Sequence, residues 1–374
     1  MKKLKIAYSL LLISAVAGFT SCDKNDDPKE PVVNEVLNGA FVLNQGSYQM
    51  NNAGLAYFST DKSDSPLIAD MFYDVNNYKL GDNATDIAKY KGDIYISVTG
   101  SNCIYKLNNE GKVTDRLLFH TDEDLQGGVR YMAFKDDYLY ASFYGGVVAK
   151  ISTDKLEITA KLKTPGANLE GIAEANGSLY VADSYQTTYD PATGMSDIIY
   201  GDKLYVIDLK SFSVTGTVSV SINPNKLLSD NGKLYLISWG NYYDKGYSFQ
   251  MIDPSQSNKV TELAVATDMG IGNGKVYLVN SVTDWSNWTT TNTWFSYDMK
   301  TGNISDDSFM TNAPEDLTTD HISMISVDDL TGDVYVGTTQ YTLGNGQLYR
   351  FNKNGEYKIN FDCGGQNPIG AVFL

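Results

Sequence analysis

The sequence is short of the residues on which most catalytic and nucleic-acid-binding proteins depend. It holds two histidines and three cysteines in 374 residues. No G-x-S-x-G, H-E-x-x-H or C-x-x-C combination occurs, so serine-elbow, zinc-protease and dithiol chemistry have no support. Phosphate-cradling glycine loops are missing as well. Positive charge is scarce, with 29 Lys and Arg against 45 Asp and Glu. A surface of that sign repels phosphates and anionic lipid, which argues against polyanionic partners. Long runs of Ala, Leu, Glu and Lys are also absent. What is present is β-branched and aromatic: 42% apolar residues, 12% aromatic, 27 of them Tyr. That composition predicts strands, and the length suits two ordinary domains or one large all-β domain.

The longest apolar run, 6–19, is too short to span a bilayer comfortably. It follows Lys2, Lys3 and Lys5 and ends in "FTSC" at Cys22. Residues 1–21 therefore read as a lipoprotein signal peptide, with Cys22 as the lipidated residue. Phe19 departs from the branched aliphatic residue usual three before the cysteine, and an ordinary secretory leader is the alternative. Acylation at Cys22 would anchor the chain without a spanning helix. Residues 22–37, "CDKNDDPKEPVVNEVL", read as a flexible acidic tether. Asp23, Asp26 and Asp27 resemble the export signal of Bacteroidetes surface lipoproteins. The expected location is the cell surface of the outer membrane, with a periplasm-facing tether as the alternative. Loss of the leader removes three lysines and no acids, taking the net charge from −16 to −19. Cys103 and Cys363 read as two buried small apolar residues, with a disulfide as the alternative.

From residue 38 onward one pattern recurs. "NGAFVLNQGSY" starts at Asn38 and "KGDIYISVTGSN" at Lys91. Related stretches begin at Asp136, Asn176, Asn231, Asn273 and Thr331. Each is a turn, mostly ending in Gly, followed by an apolar strand with an early Tyr or Phe. The mean period is about 49 residues, the scale of solenoids and propellers. A short strand precedes each turn and two more follow, so each repeat holds four antiparallel strands. Seven such repeats over residues 38–374 predict a seven-bladed β-propeller. There is no Trp-Asp signature of a WD40 array. The C-terminal "NPIGAVFL" matches the first strand of a repeat and the N-terminal "GAFVLNQG" the second, so the last strand should complete the first blade.

We label the strands A to D from hub to rim. A–B and C–D turns then share one face of the disc, and B–C loops and D–A connections the other. The A–B turns are tight. The B–C loops are long, and they carry Tyr48, Tyr144, Tyr185, Trp239, Tyr242, Tyr243, Trp285, Trp288 and Tyr341. Large amphipathic rings among Asn, Gln, Ser and Thr make a candidate binding face. Mutual packing of the loop aromatics is the plainer alternative. Each A strand should begin at the channel mouth on that same face, which places Asp86, Arg130, Glu170, Asn225, Asp268, His321 and Asn367 there. They could hold polar groups of a ligand, a cation, or water alone. "DDLTGD" (328–333) reads as a turn. No nucleophile arrangement is evident, and the chain is expected not to be an enzyme. One weaker reading is a calcium-dependent hub hydrolase or lactonase built on Glu170, Asn225 and Asp268.

The lipoprotein start, the blade rhythm and "FVLNQGSYQMNNAGLAYF" (41–58) resemble a Bacteroidetes family of surface YncE-like, BtuG-type propeller lipoproteins. The resemblance implies a non-enzymatic binder that captures a corrinoid, a vitamin B12-like ligand, and delivers it to a TonB-dependent outer-membrane transporter. No cofactor beyond that ligand is implied. A glycan or another nutrient remains the alternative ligand. His321 could approach the cobalt of a corrinoid, since imidazole is a good ligand for such metals, or could simply line the channel.

Overall fold

A computed structural model describes residues 39–60, 68–284 and 286–374. The expected signal peptide, tether, Cys22 and Trp285 lie outside the described residues. Among those described, no helix is long and apolar enough to cross a membrane.

Each sequence repeat folds into one antiparallel sheet, and the seven sheets form a β-propeller. In the second blade the strands run Ala84–Tyr90, Asp93–Val98, Cys103–Leu107 and Val113–Leu118, from hub to rim. Five further sheets repeat that order. The first blade is assembled from both ends of the ring. Pro368–Phe373 is its innermost strand, followed outward by Gly39–Asn44 and Gly54–Ser59. Its rim position is marked by the pairing of Tyr57 with Ile68. The closure is continuous: Ala40 pairs with Phe373 and Val42 with Ala371, and the Leu374 amide donates to the Gly39 carbonyl at 2.9 Å.

The recurrent aromatic of the sequence pattern has one structural job. Phe41, Tyr95, Tyr140, Tyr180, Tyr235, Tyr277 and Tyr335 occupy the B strands and are all buried. Many reach across to a neighbouring blade. Tyr95 meets Phe134, Tyr140 meets Phe212, and Tyr235 meets Tyr297. Tyr335 contacts Phe58 and Phe373 of the closing blade. Such ring pairs add about 0.5–1.5 kcal/mol each beyond the burial itself. The core is therefore divided among the blade interfaces. Cys103 and Cys363 are buried free thiols in separate clusters.

The A–B turns match their sequence. Asn176 and Gly177 have φ of 51° and 81°. Two successive left-handed residues make the turn that suits strand twist, and Asn followed by Gly is the pair that tolerates it. "DDLTGD" is likewise a turn: Asp328 accepts from the Leu330 amide and the Thr331 hydroxyl, and Asp333 accepts from Arg350.

Two B–C segments differ from expectation. Residues 185–201 and 281–293 were expected as loops, but most of both stretches are strand. Ser178–Asp190 and Met195–Asp208 pair through to Asp190 and Met195, closed by a tight turn. Lys275–Asp284 and Thr289–Asp298 do the same in the sixth blade. The Thr, Tyr and Ile content of these segments favours pleated pairing, so the hairpins extend past the body of the sheet.

Candidate functional site

The B–C face carries the exposed aromatic surface. Tyr48, Tyr242, Tyr243, Trp288 and Tyr341 are all exposed, with Tyr243 at 95%. Met50, Tyr189, Met195, Ile198, Ile199 and Leu343 add apolar surface in the same connections. Among the described residues, only Leu330 offers an exposed large apolar side chain at an A–B turn. Some of the rings are mutually braced. Tyr242 lies edge-on to Tyr200 at 6.3 Å and to Tyr247 at 6.4 Å. Tyr144 meets Tyr185 at 6.0 Å, and Tyr341 leans on the His321 ring at 5.1 Å. Trp239 is half-buried against the core of the fifth and sixth blades and also faces the channel.

The first blade's loop is fixed from beneath. Asp82 accepts the amides of Gln49 and Asn51, and Ser47 donates to Gln366 at 2.7 Å. Tyr48 is held out on that support.

At the hub the A strands enclose a channel of about 1180 Å³. Its lining runs from Gln45, Trp239, Tyr247 and Tyr341 on the B–C face to Asn231 and Asn273 at the A–B turns. The mouth is charged. Arg130 reaches Glu170 from two guanidinium nitrogens at 2.9 and 2.8 Å. The Tyr144 hydroxyl donates to the other Glu170 oxygen, and its ring lies 4.7 Å from the guanidinium carbon. Lys226 pairs with Asp268 at 2.6 Å.

Asp86 is different. It accepts the Met132 amide at 2.8 Å, and among the described residues no cation is in contact with it. Enclosure by the channel wall pushes its carboxyl up to about 6, against the pull of the Met132 and Ile87 amides and of Lys226 and Arg130. On the innermost strand of the fifth blade, Asn225 is buried, and its side-chain oxygen has no partner among the described residues.

The sequence-nominated residues thus separate into three groups. Asp86, Arg130, Asn225, Trp239, Asp268, His321 and Tyr341 line the channel. Tyr48, Tyr242, Tyr243 and Trp288 stand around it in the B–C connections. Glu170 and Asn367 serve from behind, with Tyr144 bonded to Glu170 and Tyr185 against Tyr144. Glu170 is 2% exposed and holds Arg130. Asn367 donates to the Gly46 carbonyl at 3.0 Å and accepts from Thr339, so it clamps loops. The calcium reading fits poorly here, because the carboxylates of Glu170 and Asp268 already face cations of the chain itself. Among the described residues no cluster of three His, Cys, Asp or Glu side chains could hold a metal.

Strand alternation alone missed Tyr131, Lys226, Tyr247 and Ser281, which also line the channel. The innermost strands meet the channel edge-on, so successive residues line it: Tyr131 beside Arg130, Lys226 beside Asn225, and likewise Asp268 to Gly272, whose pairing runs in continuous register. Strand alternation does not report that edge.

No family model matches the sequence, and no curated protein does. Solved structures match its fold. A quinonprotein alcohol dehydrogenase-like protein from Bacteroides thetaiotaomicron is 14% identical, with a TM-score of 0.60 over 90% of this chain and 78% of its own. Hydrazine synthase of Kuenenia stuttgartiensis is 12% identical, at 0.53 over 70% and 74%. The WD40 domain of Neurospora crassa Pan2 is 13% identical, at 0.51 over 73% and 78%. At these identities the likeness is one of propeller fold alone.

Proposed function

We propose that this protein is a non-catalytic capture protein for a broad, amphipathic small molecule of the corrinoid class, bound over the channel mouth on the B–C face. The observation that carries the reading is the segregation of exposed aromatic side chains. Apart from Tyr73 and Tyr78, in the segment between the first and second blades, they lie in the B–C connections, on the face where the channel opens among fixed charges and amides. A corrin has the matching character, a wide ring fringed with amide groups. Aromatic faces would take the ring, and Arg130, Asn225, Asp86 and Gln45 would meet the fringe. The engagement of Glu170 by Arg130 and of Asp268 by Lys226 favours a binding role over a metal-dependent hydrolase. With the lipoprotein-like N-terminus, the reading extends to a lipid-anchored outer-membrane surface protein that hands its ligand to a TonB-dependent transporter.

The test is a spectroscopic titration of the purified apo-protein with cyanocobalamin and with cobinamide. The expected result is saturable retention of the red ligand, weakened in Tyr242→Ala and Tyr341→Ala. No retention of either corrinoid at micromolar protein overturns the corrinoid assignment. A glycan array run on the same preparation then tests the other ligand class suited to an aromatic face.

A further inference from the structure

The sixth blade lacks most of its rim strand. In the complete blades the outer strand is long, as in Val113–Leu118, Ser213–Ser219 and Lys259–Ala264. Here it is only Asn303–Ser305, pairing with Ser296–Asp298. The next strand inward, Thr289–Asp298, is one of the longest in the ring. Among the described residues, no fourth strand lies beside its outer edge from Thr289 to Phe295. Backbone donors and acceptors along such an edge are a template for another extended chain.

A groove of about 360 Å³ lies along the vacated position. Trp294, Met310, Pro314 and Leu317 give it an apolar floor. Asn292, 8% exposed, also lines it. Its amide nitrogen donates to the carbonyls of Leu317 and Asp320, but its side-chain oxygen has no partner among the described residues. A buried acceptor left open beside a groove calls for an incoming N–H or O–H donor. The chain segment that borders the groove carries charge of one sign. Asp306, Asp307, Glu315, Asp316 and Asp320 lie in the segment that borders the groove, and no Lys or Arg occurs between Lys300 and Arg350.

We propose that this rim is a docking site for a basic, extended segment of a partner protein, which adds as the missing outer strand of the sixth blade. Ladder hydrogen bonds to Thr289–Phe295 would supply the register. One apolar side chain would enter the groove, and flanking Lys or Arg would answer the carboxylates. The site is on the opposite side of the sheet from its channel-lining strand, Asp268–Gly272, and is independent of the ligand reading above.

The probe is a fluorescein-labelled heptapeptide, Lys-Val-Thr-Val-Lys-Val-Lys, followed by anisotropy against the full chain. Two versions are N-methylated on alternate backbone nitrogens, one on each set. An added strand directs only one set of N–H groups at its neighbour, so one version should lose binding and the other keep it. The Asp306→Lys/Asp316→Lys variant, with its thermal midpoint unchanged, should bind the unmodified peptide about tenfold more weakly. Equal binding of both methylated versions would mean charge attraction without strand addition, and overturns the proposal. So does the absence of saturation at millimolar peptide.

Discussion

Arg130 donates to Glu170 across two adjacent innermost strands, at 2.9 Å from Nε and 2.8 Å from Nη2. Both side chains are largely withdrawn from water, at 13% and 3% exposed. A pair in that setting is sensitive to the loss of one member. Arg130→Met leaves a buried carboxylate uncompensated and should cost about 3–5 kcal/mol in urea unfolding. Adding Glu170→Gln to that variant should restore much of the loss. A single variant as stable as the parent would show that water reaches Glu170.

Asp86 predicts a pH dependence of definite sign. Its carboxyl titrates near 6 in the folded chain and at the ordinary 3.8 when unfolded. The folded state therefore holds the proton more tightly between those values. Stability from this group is complete below about pH 4 and falls as pH rises through 6, by up to about 3 kcal/mol. Asp86→Asn should flatten that slope. Urea melts of both proteins from pH 4 to 7.5 check it, and parallel curves would refute it.

Trp239 and Tyr243 separate packing from binding. Trp239 is half-buried against the core, so Trp239→Ala should lower both stability, by about 2–4 kcal/mol, and ligand affinity. Tyr243 is 95% exposed, so Tyr243→Ala should leave the thermal midpoint in place and weaken the ligand alone. Calorimetry with and without cyanocobalamin distinguishes the two patterns.

Cys103 and Cys363 should both be inert in the folded state. Burial pushes each thiol up to about 11, so little reactive thiolate forms at pH 8. In a Cys22→Ser chain, Ellman's reagent should react slowly with the native protein and at once after addition of guanidinium. Fast reaction without denaturant would place a thiol at the surface.

Much of this architecture was legible because it is periodic. A tight turn before an apolar strand recurs at each blade, and Asn-Gly at 176, 231 and 273 states the turn type outright. Ring closure could be read from the unmatched strands at the two ends. The sharing of one face by the B–C connections followed once antiparallel order sorted them. The channel lining was harder. Asp86, Arg130 and His321 are visible as the polar starts of innermost strands. Tyr131 and Lys226 line the channel beside Arg130 and Asn225 because an innermost strand meets it edge-on, which the alternation of polar and apolar residues does not reveal. Glu170 and Asn367 sit at the same depth as the others but turn to partners within the protein, and that choice of partner is a matter of packing. The extended hairpins at 185–201 and 281–293 were masked by turn-forming residues at their tips, which read as loop.

The hydrogen bond between Leu374 and Gly39 has an engineering consequence. The wheel has no structural seam, because the two residues that border it already touch. A circular permutant of residues 39–374, with those ends joined by a short linker and new termini cut at Asn176-Gly177, should assemble the same disc with its B–C connections on one face.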